Sequence, residues 1–245
     1  IINFVEKELT STNIHDLKLV LHLLTSISSN HYQSENIFKK IEQILNFFKE
    51  KIQQNLSNAE IYEIFKNDKR ILLFLIEEKI LTIDKTIYKQ MFKKKCFKNN
   101  YLHYFYPEIK EFIEPELRNK FTNELPDDFY EKRRKGENDS YICELIRNDL
   151  IDDFIVFVNK NNLSLDLIMN QSIYETNSIL NDFELQHSYI EYAAFYGSIR
   201  IFKYLLINHV EMKESLWFYS IHGNNPEMIH LLEENLTKPK NDEYK

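Results

Sequence analysis

The stretch that decides the fold is Ser188–Leu205, SYIEYAAFYGSIRIFKYL. Two adjacent alanines and one of only three glycines interrupt a chain otherwise rich in Phe, Tyr, Ile and Leu. Glycine inside a helix costs roughly 0.5–1 kcal/mol relative to alanine, whereas just past a helix end it supplies a left-handed residue without strain. Gly197 therefore reads as a stop, and the segment as two short helices joined by a tight turn. The expected spans are 188–196 and 199–207.

The same pattern recurs elsewhere. Setting Ser140-Tyr141-Ile142 beneath Ser188-Tyr189-Ile190 aligns the apolar positions that follow, with Asp149 in the place of Gly197. Downstream, LWFYSIHGNNPEMIHLL sets Gly223 on Gly197, predicting helices at 215–222 and 226–234. A fourth copy, SNAEIYEIFKNDKRILLFLI, puts Asn67 at the glycine's place. Asn and Asp are the residues that best replace Gly in a left-handed turn, so Asn is expected to be tolerated at 197. Ser188 with Glu191, and Ser57 with Glu60, have the spacing of a capping box. Asn225-Pro226 reads as an N-cap followed by a first-turn proline.

With 245 residues, 43% hydrophobic and 28% charged, the chain has the composition of a globular protein. Three glycines and five prolines leave little turn chemistry for hairpins, so the class is all-α. A net charge of −7 opposes a general affinity for nucleic acid or anionic lipid. Apolar runs such as ILLFLI, residues 71–76, fall far short of the roughly 20 residues that span a bilayer. Cys96 and Cys143 are too few for a disulfide framework and suit a reducing, cytoplasmic compartment.

The repeated unit resembles the ankyrin repeats, whose core Ala-Ala-x-x-Gly-x-x-x-Ile-Val-x-x-Leu-Leu is written here as Ala193-Ala194-x-x-Gly197-x-x-x-Ile201-Phe202-x-x-Leu205-Leu206. The wider run from RRKGENDSYICELI to LWFYSIHGNNPEMIHLLEEN resembles the degenerate ankyrin domain of large, lineage-expanded families in parasitic protists. The units lie 48 and then 26 residues apart, so the expectation is an irregular ankyrin-like α-solenoid of antiparallel helix pairs with an N-terminal helical cap. The expected organisation is a cap over 1–56, a degenerate pair over 57–81, an irregular helical insertion and linker over 82–136, and ankyrin-like repeats over 137–245. Further repeats of the parent chain fit beyond residue 245. In the cap, Ile37, Ile41, Ile44, Leu45, Phe48 and Ile52 form one apolar stripe over residues 35–53.

The resemblance implies a non-enzymatic protein–protein interaction module, a scaffold or adaptor with an unidentified protein partner. Its concave face would carry Arg147 and Asn148 from one unit, Tyr192, Phe195 and Tyr196 from the next, and Phe218 and His222 from the last, with Gly197 and Gly223 as structural turns. Neither cofactor nor metal is expected, since the eight histidines contain no His-x-x-x-His and no phosphate loop or nucleophile elbow is present. A catalytic cysteine would need a histidine beside it, and Cys143 falls where a small buried thiol is usual. One alternative function is single-strand binding through residues 89–106, where Lys89, Lys93, Lys94, Lys95 and Lys98 interleave with Phe92, Phe97, Tyr101, Tyr104 and Phe105. A solvated lysine face over an aromatic core stripe gives the same string. An enzyme of another kind is the remaining alternative.

Overall fold

The structure is a computed structural model describing residues 13–32, 34–93, 101–116, 118, 125–181 and 186–236. Among these residues the fold is all-helical, with fifteen α-helices, one 3-10 turn at Lys110–Phe112 and a single isolated bridge between Ile168 and Ser188. The chain divides into two compact units, one of residues 1–137 with 173–183, the other of 138–172 with 184–245.

The first unit holds α1 (Ile14–Asn30), α2 (Glu35–Phe47), α3 (Lys49–Asn55), α4 (Asn58–Phe65), α5 (Lys69–Glu77), α6 (Lys85–Lys93), α7 (Tyr101–Tyr104), α8 (Tyr106–Ile109) and α9 (Phe129–Lys135). Leu17, Leu21 and Leu24 of α1 and Phe38, Ile41 and Leu45 of α2 recur at helical spacing and are all buried. The helix expected over 35–53 is interrupted by a turn at Phe48, yet Ile41, Ile44, Leu45, Phe48 and Ile52 of its stripe are buried, Ile37 packs half-buried against the same core, and Phe38 joins them. The capping box at Ser57 is formed: the Ser57 amide donates to Glu60 Oε2 at 2.9 Å, and the Glu60 amide donates to Ser57 Oγ at 3.3 Å. Asn67 does not adopt the left-handed conformation expected of it. Asp68 makes that unnecessary, because its carboxylate accepts from the Ile71 amide at 2.9 Å and starts α5 directly.

The second unit contains three helix–turn–helix pairs: α10 (Tyr141–Arg147) with α11 (Ile151–Lys160), α12 (Tyr189–Tyr196) with α13 (Ile199–Ile207), and α14 (Leu216–Gly223) with α15 (Pro226–Asn235). The expected spans are met to within a residue. The first helix of each pair packs on the first helix of the next, so α12 lies between α10 and α14. Two of the second helices close alike, through a left-handed residue two places past the end: Asn162 after α11 and His209 after α13, with φ of 49° and 60°. Lys79 does the same after α5 in the first unit, with φ 57°. In each case the next amide reaches back to a helix carbonyl, as in Val210 to Leu205 at 3.1 Å. The left-handed residue of this shared ending is Lys, Asn or His and never Gly, so no glycine marks it in the sequence.

Candidate functional site

The expected surface lies on α10, α12 and α14, and the closeness of the last two begins with small residues. Ala193 and Ala194 are fully buried. Gly197 ends α12 with φ +69°, and an added Cβ there would sit 2.6 Å from the Gly223 carbonyl oxygen. Gly223 is different from its expected role as a turn. It is the last residue of α14, the left-handed position is Asn224 with φ 46°, and a Cβ on Gly223 would lie 2.2 Å from the Ala194 oxygen. Both glycines therefore let two backbones touch, and Gly197 also turns the chain.

Polar contacts tie successive pairs in register. Glu191 accepts from the Ser188 amide and hydroxyl, each at 2.8 Å, and from Ser215 Oγ at 2.6 Å across to the start of α14. Asp149, itself left-handed with φ 50°, accepts from the amides of Arg200 and Ile201 at 3.0 and 2.9 Å and so caps α13 of the following pair. Ser198 Oγ donates back to the Ile146 carbonyl at 2.5 Å.

On this frame the predicted residues separate into two groups. Tyr192 and Phe195 are 0% and 1% exposed, which corrects their expected place on an open face: α12 is packed between α10, whose Arg147 meets Tyr192, and α14, whose His222 meets Phe195. Tyr196, Phe218 and His222 remain half-buried, and Asn148 is exposed with its amide folded back on the Glu144 carbonyl. The aromatic rings form one contiguous row. Tyr192 and Tyr196 have centroids 4.7 Å apart, Phe195 and Tyr196 5.2 Å, Phe195 and His222 5.5 Å, and Phe218 and His222 5.2 Å. Arg147 extends the row to α10, donating through Nη1 to Tyr192 Oη and to the Asn138 carbonyl, each at 2.8 Å. Burial lowers the proton affinity of His222, which favours a neutral ring within the row.

The alternative strand-binding face is not assembled from the residues named for it. Tyr101, Tyr104 and Phe105 are 6%, 0% and 0% exposed and pack in the core of the first unit, so their rings are not offered to bases. Residues 94–100, and with them Lys94, Lys95, Cys96, Phe97 and Lys98, lie outside the described residues, as do the side chains of Phe92 and Lys93. Cys143 is fully buried with its sulfur 3.6 Å from Met169 Sδ. Among the described residues no group of three or more His, Cys, Asp or Glu could hold a metal ion, and no helix is long and apolar enough to cross a membrane.

Two features of the first unit escaped the sequence reading. One is a cleft of about 570 Å³, lined by Thr25, Ser29, Asn67, Asp68, Ser178 and Asn181 among others. The other is Lys69, which is 0% exposed. It precedes Leu72 and Leu73 by three and four places, on the apolar stripe of α5, and that register was the available signal. Comparison with known proteins finds no family model that matches this chain, and neither a curated protein nor a solved structure similar to it.

Proposed function

We propose that the three pairs of the second unit form an irregular ankyrin-like solenoid and that the chain is a non-enzymatic protein-interaction module, with an N-terminal helical cap over 1–56 on a degenerate pair over 57–81. The observation that carries this reading is the aromatic row, continuous over two neighbouring helices and ending in three half-buried rings, Tyr196, Phe218 and His222. Aromatic anchors beside an arginine are the residue types that dominate protein interfaces. Their rigid backing by Tyr192 and Phe195 presets the surface, so little side-chain entropy is lost when a partner seats. The expected partner is a protein, met in a reducing compartment such as the cytoplasm, where the free thiol of Cys143 is stable.

The test is a paired affinity capture from the cell that makes the protein, using the natural sequence and a Tyr196→Ala, Phe218→Ala double variant. A protein retained by the first and lost by the second, with unchanged helicity and melting, supports the reading. Identical retention by both removes this surface from it.

A further inference from the structure

Residues 173–181 leave the helical pairs, carry no regular helix or strand, and pack within the first unit. Tyr174, Glu175, Thr176, Asn177 and Leu180 are each no more than 4% exposed. We propose that this segment is a strap latched by the Lys69 side chain, and that opening the strap takes up a proton on the Lys69 amine.

The geometry begins with the partners of that amine. Lys69 Nζ donates to the carbonyl oxygens of Glu175 at 3.0 Å and Ile173 at 3.3 Å, both on the strap, and lies 5.2 and 5.3 Å from the ring centroids of Tyr101 and Tyr104. Carbonyls and ring faces can hold either an ammonium or an amine, but they do not replace the hydration an ammonium loses. The nearby charges are engaged elsewhere. On α5, Asp68 accepts from Ser28 Oγ at 2.5 Å and from the Ile71 amide, while Arg70 pairs with Glu35 at 2.8 Å over the Phe38 ring. On the strap, the Glu175 carboxylate accepts from the Asn177 amide at 2.9 Å and from Tyr32 Oη at 3.3 Å. On α9, Arg133 forms a fork with Glu108 of α8 and donates to the Tyr104 carbonyl. The phenols of Tyr101 and Tyr104 donate to the carbonyls of Lys66 and Arg133.

Burial accordingly pulls the Lys69 pKa from 10.5 to about 7, with the Glu175 charge acting in the opposite direction. An amine released to water regains the higher value. Between these limits the open strap binds a proton that the closed strap does not, so closure strengthens about tenfold for each pH unit above about 7 and levels off below it. Two of the strap's other holds carry no change of charge in this window. Thr176 donates through its amide at 3.0 Å and its hydroxyl at 2.8 Å to the Gly136 carbonyl, and burial keeps the Tyr32 phenol protonated well past pH 10. Opening also removes Ser178 and Asn181 from the wall of the polar cleft, so the latch governs whether that cleft is complete.

Amide hydrogen exchange on the full 245-residue chain between pH 5.5 and 9 tests this, with the protection factor at Thr176 separating opening from the intrinsic rate. Protection should be flat below pH 6.5 and rise about tenfold from pH 7.5 to 8.5, and Lys69→Met should make it flat throughout. A flat profile in the natural sequence, or an unchanged rise in the Met variant, would overturn the latch. So would an equal rise at Leu45 in α2, because the whole unit would then be opening. Should the Met variant fail to fold, carbon-13 NMR at Lys69 Cε decides: a midpoint near 7 supports the latch, and one above 10 overturns it.

Discussion

The two units close similar helix pairs by opposite means. In the second, α12 and α14 meet backbone to backbone at Gly197 and Gly223, with Ala193 and Ala194 beside them. In the first, α4 and α5 offer Ile61, Tyr62, Phe65, Leu72 and Leu75, and the polar groups that enter the interior, Lys69 and Arg133, come with their own acceptors. In the second unit an added Cβ at these glycines meets backbone, whereas in the first a lost partner strands a buried charge. This contrast can be followed in solution because Trp217 is the sole tryptophan and lies in α14, so its fluorescence reports the second unit while circular dichroism reports both.

The largest effect is expected at Gly223. A methyl there would sit 2.2 Å from a backbone oxygen that no rotamer change can move, so Gly223→Ala should cost about 3 kcal/mol or more, read as an early Trp217 transition in urea. At Gly197 the left-handed backbone adds about 1 kcal/mol to a 2.6 Å contact with the Gly223 carbonyl. Asn, expected from the sequence to be tolerated at 197, should therefore be no better than Ala. Its side chain suits the turn, but its Cβ meets the same oxygen. An Asn variant that melts like the natural protein would show that α14 can withdraw, and would end the contrast between the units.

Next comes the first unit's buried pair. Arg133 is 4% exposed and makes two 2.8 Å bonds to Glu108. Glu108→Ala strands that charge and should destabilise the first unit by about 3 kcal/mol. The loss should appear in circular dichroism and leave the Trp217 transition in place. A shift of both probes together would mean that the units unfold as one.

The sequence made the second unit legible and the first only in outline, for a physical reason. Ala193, Ala194 and Gly197 are rare in this chain, and small residues at helical spacing have few other uses. Tyr192 and Phe195 were misplaced because a helical pattern gives a residue's direction and not how closely the neighbouring helix approaches. Gly223 was misread because stop and close contact share one residue type. In the first unit the decisive partners are distant in sequence. Tyr32 and Lys69 meet residues 173–176, and no local period announces a contact across more than a hundred positions.

A smaller effect separates capping across pairs from capping within one. Asp149 caps α13 of the next pair, whereas Asp68 caps α5 of its own. Asp149→Ala loses both acceptors and leaves a Cβ residue at φ 50°, for a cost of about 1–2 kcal/mol in the Trp217 transition. Asp149→Gly keeps the turn and should recover part of it. If Gly is no better than Ala, backbone strain is not part of the cost.

The smallest expected effect compares the two capping boxes. Glu191 closes its box beneath the Ser215 hydroxyl, while Glu60 closes its own with Lys18 Nζ at 2.8 Å on Oε1 and the Ser57 amide and hydroxyl at 2.9 Å on Oε2. The lysine contact is the main reason that the Glu60 pKa falls from 4.5 to about 2, with the serine bonds adding to it. A depressed carboxylate contributes its stability above the unfolded value and loses it as pH falls from about 4.5 through about 2, so the box should loosen only in strong acid. Both side chains of the ion pair are well exposed, at 40% and 44%, and water screens much of the attraction. Lys18→Met should therefore raise the Glu60 midpoint in a carboxyl NMR titration while barely moving the melt at pH 7. An unchanged midpoint would assign the depression to the Ser57 bonds alone, making the two boxes equivalent and removing this difference between the units.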